Sequence, residues 1–185
     1  MSYDIYLLQK KPGQDPETTA REYFDNYDPD ERLGPPSPET EERKKRFVEL
    51  LTEMNPDFEV FRPDPKKMVE LSGITEEEAL LCCGHVELDH EKTGIQIMLA
   101  DVESSLTVPY WHTGDAAAQV VNEIWKYLDM IVSNSDLFIF DPQLDRVLDI
   151  SNDRPALMEA YAGISEDLPR MIKNAKKKKP WWKFW

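Results

Sequence analysis

Glycine, cysteine and long apolar runs are all scarce in this 185-residue chain, and each scarcity removes a class of function. The seven glycines are scattered, so there is no glycine-rich loop to cradle a nucleotide phosphate. No serine sits in a nucleophile elbow. The two cysteines, Cys82 and Cys83, are adjacent; sequence neighbours rarely meet disulfide geometry, which excludes a disulfide scaffold and suits a reducing compartment. No run approaches the roughly 20 apolar residues of a membrane helix. The opening MSYDIYLLQKKPG does not read as a secretory signal, because its apolar stretch is short, carries an acid and precedes its lysines. The expected location is the cytoplasm.

Positive charge is also short, and unevenly placed. Acidic residues number 36 against 22 basic, and six of the lysines (Lys173, Lys176, Lys177, Lys178, Lys179 and Lys183) follow Ile172. The body up to Ile172 therefore holds 16 basic against 36 acidic residues, a formal charge of −20. Such a surface repels nucleic acid and attracts cationic partners most strongly at low salt. It also serves solubility alone. The apolar fraction of 41% is that of a globular chain able to bury a core.

What is present is a pattern of strands and helices. Tyr3 to Leu8 alternates as a strand. Asp15-Pro16-Glu17 starts a helix with Ala20, Tyr23, Phe24 and Tyr27 on one face, and Asp28 to Pro38 is a loop. Ser37-Pro38-Glu39 starts a second helix that turns Phe47, Leu50, Leu51 and Met54 inward and stops before Asn55-Pro56. Phe58 to Phe61 is a short strand. Asp64-Pro65 opens a helix with Met68, Val69 and Leu71, closed by Gly73, and Thr75 with Glu78 forms a capping box ahead of Leu80 and Leu81.

The centre of the chain, His85 to Ile150, is the most regular part. Val86 and Leu88, then Ile95, Ile97 and Leu99, alternate as two strands with Glu87, Gln96 and Met98 on the other face. Lys92-Thr93-Gly94 turns that pair, and Asp101 to Ser104 turns the next. Leu106, Val108 and Tyr110 continue the alternation; Pro109 lacks a ladder donor, which predicts an edge or a bulge. From Asp115 to Val132 the stripe Val121, Ile124, Trp125, Leu128, Ile131 and Val132 predicts a long helix capped by Thr113 or Asp115. Burying each large side chain of that stripe is worth roughly 1.5–3 kcal/mol. Leu137 to Phe140 and Val147 to Ile150 read as strands joined by an Asp141-Pro142-Gln143 turn. Asp153 to Tyr161 and Ser165 to Ala175 read as two helices broken at Gly163. The expected fold is α+β, a mainly antiparallel sheet with helices packed on it, ferredoxin-like by analogy. Residues 1–175 form the expected domain and 176–185 a basic, aromatic tail.

Candidate chemistry is thin. Cys82, Cys83 and His85, with His90 and His112 elsewhere, offer zinc-binding atoms at a spacing that matches no pair of ligand knuckles. A cysteine nucleophile with His112 as base lacks any local signature. The chain therefore reads as non-enzymatic, with no catalytic residue, metal or cofactor expected. Tyr110, Trp111 and His112, at a strand end beside a helix start, are candidates for a partner contact; the simpler reading has Tyr110 and Trp111 capping the core. The tail KKKKPWWKFW places Trp181, Trp182, Phe184 and Trp185 beside lysines. It suits weak attachment to an anionic membrane surface, docking into a partner's groove, or folding back onto the acidic body.

The run GIQIML, SLTVPYW, a helix containing EIWKYLDMI and then FDPQLDRVLD resembles a group of small bacterial proteins of unassigned function. They begin with a strand like SYDIYLL and share the PYW strand end and the DPQ turn. The resemblance covers most of residues 2–150 and leaves out 28–38 and the tail. Some similar small acidic proteins are encoded near secreted toxins and are suspected immunity proteins. The resemblance thus implies an immunity-type role, and the −20 body without a catalytic constellation leads to the expectation of a non-enzymatic acidic protein that masks a basic partner. A peripheral membrane or assembly role through the tail is the alternative.

Overall fold

A computed structural model describes residues 1–26 and 37–177. The loop expected at 28–38 lies outside the described residues as far as position 36, as do Tyr27 and the tail aromatics Trp181, Trp182, Phe184 and Trp185. The fold is α+β. In chain order the described elements are β1 (Ser2–Gln9), α1 (Pro16–Asp25), α2 (Pro38–Met54), β2 (Glu59–Phe61), α3 (Pro65–Ser72), α4 (Glu76–Cys82), β3 (Val86–His90), β4 (Ile95–Leu99), β5 (Glu103–Pro109), α5 (Asp115–Ser133), β6 (Leu137–Asp141), β7 (Arg146–Leu148) and α6 (Arg154–Lys177).

The strands form one antiparallel sheet in the order β2-β3-β4-β5-β1-β6-β7. Within it, β1, α2, β4, β5, α5 and β6 follow the connectivity and strand order of a ferredoxin-like unit. The segment β2-α3-α4-β3 is inserted between α2 and β4, and β7 extends the other edge.

One sheet face is covered by α2, α5 and α6. Tyr3, Ile5 and Leu7, Leu88, Ile95, Ile97 and Leu99, and Leu106 and Val108 meet Phe47, Leu51, Ile124, Leu128, Leu157 and Tyr161 there. On the opposite face α1 lays Ala20, Tyr23 and Phe24 against Leu8, Phe138 and Phe140. Because β6 is sandwiched, all five of its residues are buried, which is why its first four, Leu137 to Phe140, form a continuous apolar run. Beyond α1 the same face turns polar, with Thr107 Oγ1 donating to Asp4 Oδ1 across the β1–β5 pair (2.9 Å).

The helix starts follow the sequence closely. Asp15 Oδ1 accepts from Glu17 N at 3.0 Å. Ser37 and Thr40 exchange side-chain and backbone bonds at 3.1 Å each. Glu78 Oε2 accepts from Thr75 N at 2.8 Å while Thr75 Oγ1 accepts from Glu78 N. Gly73 closes α3 in the left-handed region, φ 68°, which glycine adopts without a Cβ clash.

Several expectations are corrected. Pro109 ends a central strand, not an edge: β5 lies between β4 and β1, its pairing with β4 reaches only Thr107, and on the β1 side Pro109 is the last paired residue, opposite Ser2. The turn before β5 is shorter than expected, since Glu103 and Ser104 pair with Leu8 and Leu7. The N-cap of α5 is Gly114 at φ 56°, with no side-chain cap, in place of Thr113 or Asp115. Met54, the last residue of α2, is exposed rather than inward, and Leu71 is exposed on α3, which buries no residue. Finally, α6 runs unbroken through Gly163.

Candidate functional site

The Lys92-Thr93-Gly94 turn between β3 and β4 brings together residues scattered along the sequence. Gly94 has φ 67°, and a Cβ there would stand 2.6 Å from Trp111 Cζ2 and 2.8 Å from Pro109 Cγ. The absent side chain is therefore the space in which the Trp111 indole rests. Trp111 is 65% exposed even so, and its Nε1 donates to His112 Nε2 at 2.8 Å. The same His112 nitrogen lies 2.7 Å from Thr93 O. A neutral imidazole nitrogen either accepts from the indole or donates to the carbonyl, so the two bonds alternate.

Thr93 also joins this corner to a second histidine. Its Oγ1 is 2.6 Å from His90 Nδ1. His90 is buried, beside the Phe58 ring, with Glu123 Oε1 3.8 Å from Nδ1 and Asp57 Oδ2 4.0 Å from Nε2. Lys92 pairs with Asp57 at 2.5 Å and holds its carboxyl below the ordinary aspartate range.

Past His90 lies a cavity of about 420 Å³ between the end of α2 and the outer face of α5, lined by Met54, Asn55, Gln119, Asn122, Glu123, Lys126 and Tyr127. Glu123 Oε1 accepts from Tyr127 Oη (2.6 Å) and Asn55 Nδ2 (3.0 Å). Burial, then the bond to Glu123, pushes the Tyr127 phenol well above its usual range. The arrangement fixes one carboxylate in a polar recess, and none of the lining side chains is a thiol or aliphatic hydroxyl nucleophile.

The sequence-derived candidates divide. Trp111 and His112 sit at this corner, half-buried His112 beneath the exposed indole. Tyr110 does not join them: it is buried, stacked on Tyr161 and edge-on to Tyr3, because the strand alternation turns it into the core. His90, a candidate only for zinc, lies beside this recess, whereas Asn55, Glu123 and Tyr127 are not legible in the sequence as a group, since Asn55 stands 68 and 72 residues from its two partners. The one local signal was the Glu123–Tyr127 spacing of four on a helix.

The cysteines lie elsewhere. Cys82 is exposed, and Cys83 is half-buried with its thiol pushed up by burial, then by Cys82 and Asp64. His85 bonds Glu87 at 3.0 Å. Among the described residues no group of three or more His, Cys, Asp or Glu is placed to hold a metal ion, and no helix is long and apolar enough to cross a membrane. No family model, curated protein or solved structure matches the chain.

Proposed function

We propose that this protein acts by binding, engaging a cationic protein partner through its acidic exterior. The observation that carries this reading is where the excess negative charge resides. The body bears −20, yet among the described residues Glu103 and Asp141 are the buried carboxylates, and Lys44 is a buried cation. With those two exceptions, the acidic side chains of the described residues therefore lie outside the core, where they accelerate encounter with a positive surface and oppose a negative one. The resemblance carried by the PYW strand end and the DPQ turn gives the reading its biological form, an immunity-type protein held over a toxin's basic face.

The test is capture of the products of neighbouring genes by the immobilised protein, at about 0.05 M and again at about 0.5 M salt, where screening shortens electrostatic reach. Retention of a basic partner whose association rate falls steeply with salt is the expected result. Failure to retain any basic neighbour at low salt overturns the reading.

A further inference from the structure

We propose that the cavity between the end of α2 and α5 receives an arginine side chain of the partner, an inference that rests on the cationic-partner reading above. The central group is Glu123. Its Oε1 is held by Tyr127 Oη and Asn55 Nδ2 at 2.6 and 3.0 Å, while Oε2 accepts no hydrogen bond from the described residues. Tyr127 is itself 2% exposed, so the carboxylate is oriented from behind by a fixed group before any ligand arrives. Pre-orientation of this kind removes ordering cost from binding.

The remaining walls match a guanidinium better than an ammonium. Gln119 and Asn122 line the same recess with side-chain amides, each of which carries an acceptor oxygen, and Met54, 43% exposed, supplies an apolar surface for an aliphatic stem. A planar fork with five donors reaches several separated acceptors at once, where an ammonium is a compact point charge. A volume of about 420 Å³ also falls within the roughly 300–1,000 Å³ of small-ligand recesses. One lining group opposes the assignment. Lys126 shares the cavity, but it is exposed and forms no ion pair with Glu123 among the described residues, so it yields to solvent when a cation enters. That opposition makes the sign of the ligand testable.

The experiment titrates Nα-acetyl-arginine methylamide into the full-length, isotope-labelled protein and follows the side-chain amide signals of Asn55, Gln119 and Asn122. Saturable shifts are expected, with Nα-acetyl-glutamine methylamide producing none. Glu123→Gln weakens the arginine probe about tenfold, Tyr127→Phe about threefold, and Lys126→Ala tightens it about twofold, with the rest of each spectrum unchanged. Absence of a saturable arginine response, indifference to Glu123→Gln, or weaker binding in Lys126→Ala overturns the pocket. If the arginine response fails while salt-sensitive capture of a basic neighbour persists, the pocket alone falls; if capture fails while the response persists, the functional reading alone falls.

Discussion

Tyr3 Oη donates to Asp141 Oδ2 at 2.5 Å, joining the first strand to the end of β6 inside the core. The other oxygen, Oδ1, takes the backbone amides of Gln143 (2.8 Å) and Leu144 (3.1 Å), so the one carboxylate also holds the DPQ turn closed. Around it Tyr3, Tyr110 and Tyr161 meet at ring separations of 5.8–6.0 Å, and Tyr161 Oη donates to Pro109 O at 2.6 Å. Four segments of chain converge on this cluster.

Asp141 makes stability depend on pH. Burial raises its carboxyl above the usual aspartate range, against the opposing pull of Tyr3, the two amides and Arg146. With a folded pKa above the unfolded one, the native state binds more protons across that interval. Its stabilising contribution is complete below the unfolded pKa and is lost as pH rises through the folded one. Relative to Asp141→Asn, the wild type therefore gains stability as pH falls from about 7 towards about 4. Urea midpoints of both proteins across that range check this; a constant difference, or one that shrinks on acidification, contradicts it.

Gly94→Ala tests the corner beneath Trp111. The residue sits at φ 67° and its new methyl would enter the space of Trp111 and Pro109. The left-handed conformation alone costs a residue with a Cβ about 1–2 kcal/mol. Displacing the indole also breaks its bond to His112. The expected loss is about 2–3 kcal/mol in denaturant unfolding, with a change in Trp111 emission that the Trp111→Phe background removes. An unaltered midpoint would mean that the turn opens freely.

The sequence revealed what local chemistry dictates. The helix start at Ser37-Pro38-Glu39 and the Thr75–Glu78 box are read within four residues, and the α5 stripe declares itself by period. Pro109 misled because a proline is tolerated at the last paired residue of a central strand, and where the pairing with β4 and with β1 ends depends on the register of strands distant in sequence. Gly163 misled because Leu157, Tyr161, Ile164 and Leu168 fall on one face across it and pack into the core; burial outweighs one glycine's helix penalty. The recess around Glu123 stayed hidden because no short-range pattern links Asn55 to a helix some 70 residues on.

Gly163→Ala follows from the same point. The glycine is exposed within α6, and a Cβ added there meets nothing within 4 Å. Alanine removes backbone freedom from the unfolded chain without a clash, so stability should rise by about 0.5–1 kcal/mol. Thermal or urea unfolding measures it. A loss of stability would indicate that α6 bends at this residue in solution.

Lys44 is the buried lysine among the described residues, and it staples three segments. It is 2% exposed, with Nζ bonded to Gly84 O in the loop before β3, 2.5 Å from Glu41 and 2.8 Å from Asp101 Oδ1. The Asp101 oxygen is buried and makes no well-aligned hydrogen bond, so charge attraction rather than bond geometry holds it. Arg43 Nη2 reinforces the same turn by donating to Asp101 O at 2.8 Å. Lys44→Ala strips the charge and the aliphatic stem together, leaving the Asp101 carboxylate without its countercharge and the Gly84 carbonyl without its donor, at a cost of about 3–5 kcal/mol. Lys44→Met keeps the stem and removes only the charge. Since a well-packed apolar replacement recovers part of the desolvation cost, Lys44→Met should lose less, and the gap between the two variants in urea unfolding measures the packing share. Equal losses would mean that the stem contributes nothing and that the charge alone secures α2 to the sheet.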